Sequence, residues 1–262
     1  MSRAKYTTDV SDKEWAQLDT IVPKAKPGGR PAKYARRDII NAIFYVLQSG
    51  CAWRLLPHDF PPYGIVFHYF SVWRKEGIFE TMNAVLRGRV REKAGRNRQP
   101  SAAIVDSQSV KTTVQGGVKG FDGGKLVKGR KRHVLVDTLG LLLAVIVLPA
   151  NSTDQQGLQQ LLLKYRWHWP RLEMIWADGG YAGTLAWWVV SMFLTLHLVI
   201  VKRSDSTKGF VVQPKRWVVE RTFAWLGRFR RLSKDYEFQT DSSQAMIYLA
   251  MPRLILRRLA NC

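Results

Sequence analysis

Cysteine is nearly absent from this sequence: its 262 residues include only Cys51 and Cys262, and no CxxC spacing occurs. Structural zinc sites need closely spaced cysteine or histidine ligands, so a zinc-stabilised domain is not expected. The five histidines also lack the HxxxH spacing of zinc hydrolases. So few cysteines suit a reducing compartment, and we expect the protein to work in the cytoplasm.

Long apolar runs are also scarce. The run Leu139–Leu148 has about half the length of a membrane span. The longer run Leu185–Val201 contains Ser191, Thr195 and His197, and we interpret it as a buried helix followed by a buried strand. The polar N-terminus does not resemble a signal peptide. No association with a membrane is therefore expected.

Acidic residues are few relative to basic ones, with 20 Asp and Glu against 41 Lys and Arg, which gives a net charge of +21. Such an excess repels itself and favours a polyanionic partner. Nucleic acid is the expected partner, because neutralising phosphates releases counterions. A generally basic proteome or a membrane surface is the alternative. The hydrophobic fraction of 46% argues against a disordered basic tail.

The chain divides at a strongly basic segment that is poor in apolar residues. We predict a helical DNA-binding domain at residues 1–88, a basic linker at 89–100 and a catalytic domain at 101–262. A capping box at Ser11 and Glu14 begins the first predicted helix, and apolar spacing predicts others over Arg36–Ser49, Ile65–Arg74 and Gly77–Leu86. Short helices joined by tight turns indicate a helix-turn-helix module or, alternatively, a small helical bundle.

The second half changes to short apolar runs that are typical of strands. Strands are predicted over Ala102–Asp106, His133–Asp137, Leu141–Leu148, Glu173–Asp178 and Leu198–Val201, and helices over Asp154–Tyr165 and Lys215–Leu232. This order indicates an α/β fold with a mixed sheet flanked by helices.

Two aspartates follow matched apolar runs, AIVD ending at Asp106 and IWAD ending at Asp178. Carboxylates at the ends of adjacent buried strands open into the crevice where α/β proteins bind ligands. Like charges placed close together favour a cation between them, and oxygen ligands suit Mg²⁺ or Mn²⁺. Asp137 also ends a strand, but a turn follows it directly, which favours a turn-initiating role. Asp122 lies in a glycine-rich loop and is expected to be solvated.

Glu220 is the candidate third ligand, on a predicted helix with Arg216 four residues earlier. The same spacing is typical of a surface Arg–Glu ion pair, and the pattern alone leaves both interpretations open. Three acids would suit two-metal phosphodiester chemistry, in which two Mg²⁺ or Mn²⁺ ions activate the attacking oxygen and stabilise the leaving one. Attack by water cuts a DNA strand, and attack by a DNA 3′-hydroxyl joins two strands.

Several basic residues are predicted to contact DNA phosphates. They are Lys111, Arg130, Lys131, Arg132, Arg216, Arg221, Arg228, Arg230 and Arg231. For the basic run before His133, a charged hairpin edge is the alternative.

Longer motifs carry a family resemblance that runs nearly end to end. They are SDKEW (11–15), GRPAKYARRDIINAIFYVLQSGCAWRLLP (29–57), VFHYFSVWRKEGIFE (66–80), AIVDSQSVK (103–111), GRKRHVLVDTLGLLL (129–143), ADGGYAG (177–183) and VVERTFAWLGRFRRL (218–232). With these motifs the chain resembles bacterial insertion-sequence transposases of the IS4/IS5 type, which have a DDE triad on an RNase H-like fold.

The resemblance implies that Asp106, Asp178 and Glu220 are the metal ligands, with Mg²⁺ as cofactor. It also implies binding to terminal inverted repeats and a homodimer that bridges two DNA ends near the bacterial nucleoid. The chain departs from the family's Tyr, Arg, Glu, Lys signature, because Gln213 and Gly227 stand where Tyr and Lys are usual. A metal-dependent nuclease without strand joining, or an inactive DNA-binding regulator, is the alternative function.

Overall fold

The computed structural model describes residues 3–24, 33–114, 117–201 and 215–260. The helices are α1 (Asp12–Leu18), α2 (Arg36–Ser49), α3 (Tyr63–Lys75), α4 (Ile78–Lys93), α5 (Asp154–Tyr165), α6 (Leu185–Met192), α7 (Trp217–Leu226) and α8 (Thr240–Ala260). The strands are β1 (Ala102–Lys111), β2 (Gly120–Asp122), β3 (Val127–Asp137), β4 (Leu142–Pro149), β5 (Met174–Ala177) and β6 (His197–Ile200).

One mixed sheet forms the centre of the molecule, with β1 lying between β3 and β5. On one side β3 runs antiparallel to β1 and β4 antiparallel to β3; on the other side β5 and β6 run parallel to β1. The short β2 pairs with the beginning of β3. The predicted α/β architecture, an RNase H-like mixed sheet flanked by helices, is confirmed.

The two faces of the sheet pack against different helices, because successive side chains of a strand point to opposite faces. On β1, Ile104 faces a core built with α1–α4, α7 and α8. Its neighbours Ala103 and Val105 face a second core, built with α5 and α6. The sheet therefore lies between two helical layers.

The start of α1 and the bounds of α2 match the signals predicted from the sequence, whereas α3 and α4 continue past their predicted ends at Arg74 and Leu86. Ser11 and Glu14 form the reciprocal hydrogen bonds of a capping box at the start of α1. Helix α2 has the predicted bounds and ends at Gly50, whose φ of 73° lies in the left-handed region that favours glycine.

The segment 89–100 differs from the predicted solvated linker, because α4 continues to Lys93. Arg91 is buried and forms an ion pair with Asp137 at the end of β3, with an N–O distance of 2.6 Å. The core on this face also contains side chains from the N-terminal helices and from the sheet. Arg91 thus packs in the interior, whereas residues 92–98 are exposed, as expected of a solvated segment.

The largest missed element is α8, for which the sequence provided no amphipathic stripe. Its residues are buried on nearly all sides, from Ser243 to Arg253, because the helix packs against α4 and β4. Pro252 also interrupts the expected pattern, although it lies inside the helix. Helix α7 is shorter than predicted and ends at Leu226.

No helix within the described ranges is long and apolar enough to cross a membrane. The run Leu185–Val201 is divided between α6 and β6, as predicted.

Candidate active site

Asp106 and Asp178 lie side by side across the parallel pair β1–β5. The register ends with the pair Ile104 and Trp176. Two residues beyond each of these, Asp106 and Asp178 lie 3.7 and 3.3 Å from the same nitrogen of Arg216. Strand β5 ends at Ala177, directly before Asp178, as predicted. The prediction for Asp106 was wrong in one respect, since β1 continues to Lys111 and Asp106 lies in its middle.

Helix α7 brings Glu220 to the same place by packing against β1. Asp106 has the same orientation as Ile104, towards the face that α7 covers. Glu220 is more open to solvent than the two aspartates, with 52% of its side chain exposed against 16% for Asp106 and 30% for Asp178. The acidic group is therefore largely covered where the two aspartates lie on the sheet and exposed to solvent at Glu220 on α7.

The three carboxylates surround one guanidinium nitrogen. Nη2 of Arg216 lies 3.3 Å from Oδ2 of Asp178 and 3.7 Å from Oδ2 of Asp106. The same nitrogen lies 3.8 Å from Oε1 of Glu220, one helical turn later. Both interpretations of Glu220 are therefore compatible with the structure, because Glu220 pairs with Arg216 and also lies beside the two aspartates.

In both aspartates one carboxylate oxygen accepts a backbone hydrogen bond and the other faces Arg216. Oδ1 of Asp106 accepts a hydrogen bond from the backbone N–H of Ser107 at 2.7 Å. Oδ1 of Asp178 accepts one from the backbone N–H of Gly180 at 2.9 Å. In each residue Oδ2 is the oxygen that faces Arg216. The backbone therefore orients one oxygen of each carboxylate towards a shared point.

Burial raises the pKa of Asp106 to about 6. The negative charge of Asp178 acts in the same direction, whereas the Ser107 N–H and the Arg216 guanidinium favour the ionised form and oppose the rise. Asp106 would thus lose its proton in the neutral range, where a cation at the site favours the carboxylate.

The donor chemistry at this point fits a hard cation. Among the residues that the structure describes, no three Asp, Glu, His or Cys side chains are arranged closely enough to bind one ion together. The three acids are nevertheless grouped within 3.8 Å of a single positive nitrogen, and all their donors are carboxylate oxygens. Oxygen donors of this kind suit Mg²⁺ or Mn²⁺.

Two other acids weighed from the sequence are structural. Asp137 is fully buried and accepts hydrogen bonds from the N–H groups of Leu139 and Leu141, which confirms its role in the turn. Asp122 was predicted to be solvated, but it is buried and accepts a hydrogen bond from Ser109. That prediction was wrong because β2 pairs with β3 and covers the loop.

Four of the basic residues predicted to contact DNA are buried: Arg130, Lys131, Arg132 and Arg231. Strand β3 begins at Val127, earlier than predicted, so the basic run lies in the middle of the sheet. Arg130 forms an ion pair with Asp235, Arg132 donates to the carbonyl of Leu232, and Arg231 pairs with Glu237. These side chains are occupied inside the protein, which contradicts their prediction as surface phosphate contacts.

The other predicted contacts lie nearer the surface. Lys111, Arg228 and Arg230 are exposed. Arg221 is half-buried and lies over the rings of Trp217 and Trp225, with its guanidinium carbon 4.4 and 4.7 Å from the ring centres. Gln213, one of the two departures from the family signature, lies outside the described residues.

The sequence-based prediction missed Asp154, the first residue of α5. Its Oδ1 accepts a hydrogen bond from the Ser107 hydroxyl at 2.6 Å, directly beside Asp106 in β1. The only local signal was its place after Thr153, which caps α5 and forms a capping box with Gln156.

Comparison with known proteins gives two family matches. Residues 97–255 match the model of the transposase DDE domain, and residues 10–83 match that of the putative transposases of the IS4/5 family. The first match includes all three acids.

Two curated relatives are similar over part of the chain. A putative transposase for insertion sequence element IS402 from Burkholderia cepacia is 31% identical over 128 residues, which cover 46% of this chain and 60% of the relative. An uncharacterized protein y4sN from Sinorhizobium fredii is 29% identical over 75 residues, which cover 29% of this chain and 60% of the relative. The matches thus span about three fifths of each relative's length.

Proposed function

The chain belongs to the family of transposases with a DDE domain, and on that premise we propose that it cuts and rejoins DNA at the ends of an insertion sequence. In this proposal Asp106, Asp178 and Glu220 are the catalytic acids. The observation that carries it is the convergence of the three carboxylates, from β1, the end of β5 and α7, on one cationic nitrogen.

We propose that the same three acids bind Mg²⁺ or Mn²⁺, as a pair of ions. Bound divalent cations would activate the attacking oxygen and stabilise the leaving oxygen of a phosphodiester. Cleavage forms a bond from a water oxygen to phosphorus and breaks the bond to the DNA 3′-oxygen, which leaves as a hydroxyl. Joining uses such a 3′-hydroxyl as the attacking group on a second strand: its oxygen bonds to a phosphorus of that strand, and the bond from this phosphorus to the strand's own 3′-oxygen breaks, so that this oxygen leaves as a hydroxyl.

The chain's own residues prepare this site. The backbone N–H groups of Ser107 and Gly180 fix the two aspartates, so that one oxygen of each stays directed at the shared point. Arg216 offsets part of the negative charge of the three acids. A metal ion bound by these acids would supply further positive charge, and Arg216 beside Glu220 would be placed to contact a DNA phosphate.

The DNA surface is proposed to include the exposed Lys111, Arg228 and Arg230 together with Arg221 and the N-terminal helices. The net charge of +21 supports such a partner. We also propose that a homodimer assembles on DNA to bridge two transposon ends, and that this occurs in the bacterial cytoplasm. Sedimentation of the protein with and without end DNA tests the dimer.

The activity is tested with a labelled DNA duplex that carries the inverted repeat flanking the gene. Wild-type protein with Mg²⁺ is expected to cut this duplex and to join the released 3′ end to a second DNA. Asp178→Ala should abolish both reactions and leave DNA binding intact or stronger, because it removes a metal ligand and a negative charge near phosphate. Glu173→Ala, at an exposed acid directly before β5, is the matched control and should retain activity.

The possible outcomes separate the alternatives. Cutting without joining identifies a nuclease, and specific binding without either reaction identifies a regulator or an inactive copy. An Asp178→Ala protein that cuts DNA at the wild-type rate would exclude the proposed catalytic acids.

A further inference from the structure

A polar row lies on the face of the sheet opposite to Asp106. Ser107 and Ser109 of β1 stand across from His133 and Lys131 of β3 in the antiparallel register. All of these except Ser109 are buried, and the row lies beneath α5. A Cβ atom on Gly157 of α5 would overlap the His133 ring, so helix and row are in close contact.

Two aspartates bind this row in nearly the same way. Asp154 accepts the hydroxyl of Ser107 at 2.6 Å, and Asp122 accepts the hydroxyl of Ser109 at 2.5 Å. The ammonium of Lys131 lies between them, 3.4 Å from Oδ1 of Asp154 and 3.7 Å from Oδ2 of Asp122. Each aspartate therefore has one serine partner on β1 and shares the same lysine.

The second carboxylate oxygen of Asp154 has different neighbours from that of Asp122. A Cβ atom on Gly180 would lie 3.1 Å from Oδ2 of Asp154 and 3.1 Å from Oδ1 of Asp178. The N–H of Gly180 is the donor that orients Asp178. The other carboxyl oxygen of Asp122 instead accepts the backbone N–H groups of Gly124 and Lys125 in its own turn.

A second contact joins the start of α5 to the same loop. The side-chain amide of Gln155 donates a hydrogen bond to the carbonyl of Ala182, which closes the turn that begins at Asp178. The first residues of α5 thus contact the loop after β5, and Asp154 also binds β1 directly beside Asp106.

We propose that Asp154 is a positioning residue that sets the distance between Asp106 and Asp178, by binding β1 through Ser107 and by packing against Gly180 in the loop after β5. The inference rests on the proposed function, because it assumes that these two aspartates bind a metal ion together. Lys131 serves this arrangement by neutralising Asp154, so that a further acid can lie beside the site without repelling its carboxylates.

The residue pairs provide matched variants. Asp154→Asn and Asp122→Asn each remove one negative charge beside Lys131, but only Asp154 contacts the loop of Asp178, whereas Asp122 binds backbone N–H groups of its own turn. Ser107→Ala and Ser109→Ala each remove one side-chain hydrogen bond from β1. Mn²⁺ affinity is measured by isothermal titration calorimetry on the full chain without DNA, and the melting temperature is measured in EDTA.

Residues that orient the metal ligands without touching the metal themselves change metal affinity about 10- to 100-fold when they are substituted. We expect Asp154→Asn and Ser107→Ala to weaken Mn²⁺ binding by about tenfold or more. Asp122→Asn and Ser109→Ala should leave it within about twofold of wild type, a smaller change than that range. Within the serine pair the melting temperatures in EDTA should agree, because each variant removes one side-chain hydrogen bond. For the aspartate pair the melting temperature in EDTA shows whether a variant is destabilised without metal.

Three results have different meanings. Equal losses of Mn²⁺ affinity in Asp154→Asn and Asp122→Asn, or no loss in either, would overturn the positioning role. If Asp106→Asn and Asp178→Asn also left Mn²⁺ binding unchanged, the proposed function itself would fail. Weakened binding in Ser107→Ala, where the Asp154 carboxylate is intact, supports positioning through the hydrogen bond over direct coordination by Asp154.

Discussion

Arg216 and Asp178 form the closest contact within the acidic group, with 3.3 Å between Nη2 and Oδ2. Arg216 lies at the start of α7, one turn before Glu220, so the same helix supplies both a carboxylate and a counter-charge. The arrangement makes the guanidinium a competitor for any cation that the three acids bind.

Replacing Arg216 should therefore lower the stability of the metal-free protein and increase its stabilisation by metal ions. We expect Arg216→Gln to lower the melting temperature in EDTA by about 2–4 °C, which corresponds to about 1 kcal/mol for partly exposed ion pairs in a chain of this size. Added Mn²⁺ should then raise the melting temperature of the variant more than that of wild type, because no guanidinium competes for the carboxylates. Thermal denaturation monitored by circular dichroism measures both effects.

Arg228→Gln is the control, since it removes an exposed arginine just beyond the end of α7. It should leave both the melting temperature and the Mn²⁺ response unchanged. An equal Mn²⁺ response in wild type and Arg216→Gln would show that Arg216 does not compete for the site.

The sequence predicted the parts of the fold that leave a local pattern. The bounds of α2 and α5 were predicted to the residue. Gly50 ends the first helix, as predicted, and the structure shows in addition that Thr153 caps the second. The place of Asp178 was also predicted, because an apolar run ends there. Burial of Arg130 and Arg132 could not be predicted in this way, since it depends on β3 lying between β1 and β4.

The grouping of the three acids is the clearest case of information that local patterns lack. Glu220 is 42 residues beyond Asp178 in the chain, and its helix spacing is equally typical of an ion pair. Only the packing of α7 on β1 brings it to the aspartates. Helix α8 was missed because it is buried on nearly all sides. Such a helix has no polar face, so its sequence lacks the helical spacing of polar and apolar residues that predicts a helix.

Asp137 allows a test of whether a buried acid outside the proposed site is structural. It pairs with Arg91 and is fully buried, so Asp137→Ala leaves a buried guanidinium without this carboxylate. Breaking such a pair costs about 3–5 kcal/mol. Urea denaturation should show a loss of this size, and the folded variant should bind Mn²⁺ as wild type does. A weakened Mn²⁺ affinity with unchanged stability would instead make Asp137 a metal ligand.

His133 should make the protein sensitive to mild acid. Burial lowers the pKa of His133 to about 4, with Asp154 opposing the shift and Lys131 supporting it. The unfolded chain protonates this histidine near its ordinary pKa of 6.5, so unfolding takes up a proton between these two pH values. Stability due to this group is therefore complete above about pH 6.5 and decreases as the pH falls towards 4.

The expected size of the effect at pH 5 is about 2 kcal/mol relative to pH 7. Urea denaturation of wild type and His133→Gln at both pH values isolates it, because other titrating groups are common to the two proteins. The difference in unfolding free energy between pH 7 and pH 5 should be smaller in His133→Gln by this amount. An identical pH dependence in the two proteins would mean that folding does not lower the pKa of His133.

Arg230 tests whether the exposed arginines beyond α7 contact DNA. It is exposed and lies against Gly50 at the end of α2, where the N-terminal helices contact the segment after α7. A single phosphate contact contributes about one unit to the slope of log affinity against log salt concentration. Arg230→Gln should therefore lower the slope by about one unit for the inverted repeat and for unrelated DNA alike, as measured by fluorescence anisotropy.

Lys164→Gln removes the same charge from α5 on the opposite face of the sheet and should leave the slope unchanged. Equal slopes for wild type and both variants would place the phosphate contacts elsewhere, because the total charge of the two variants is identical and only the location differs.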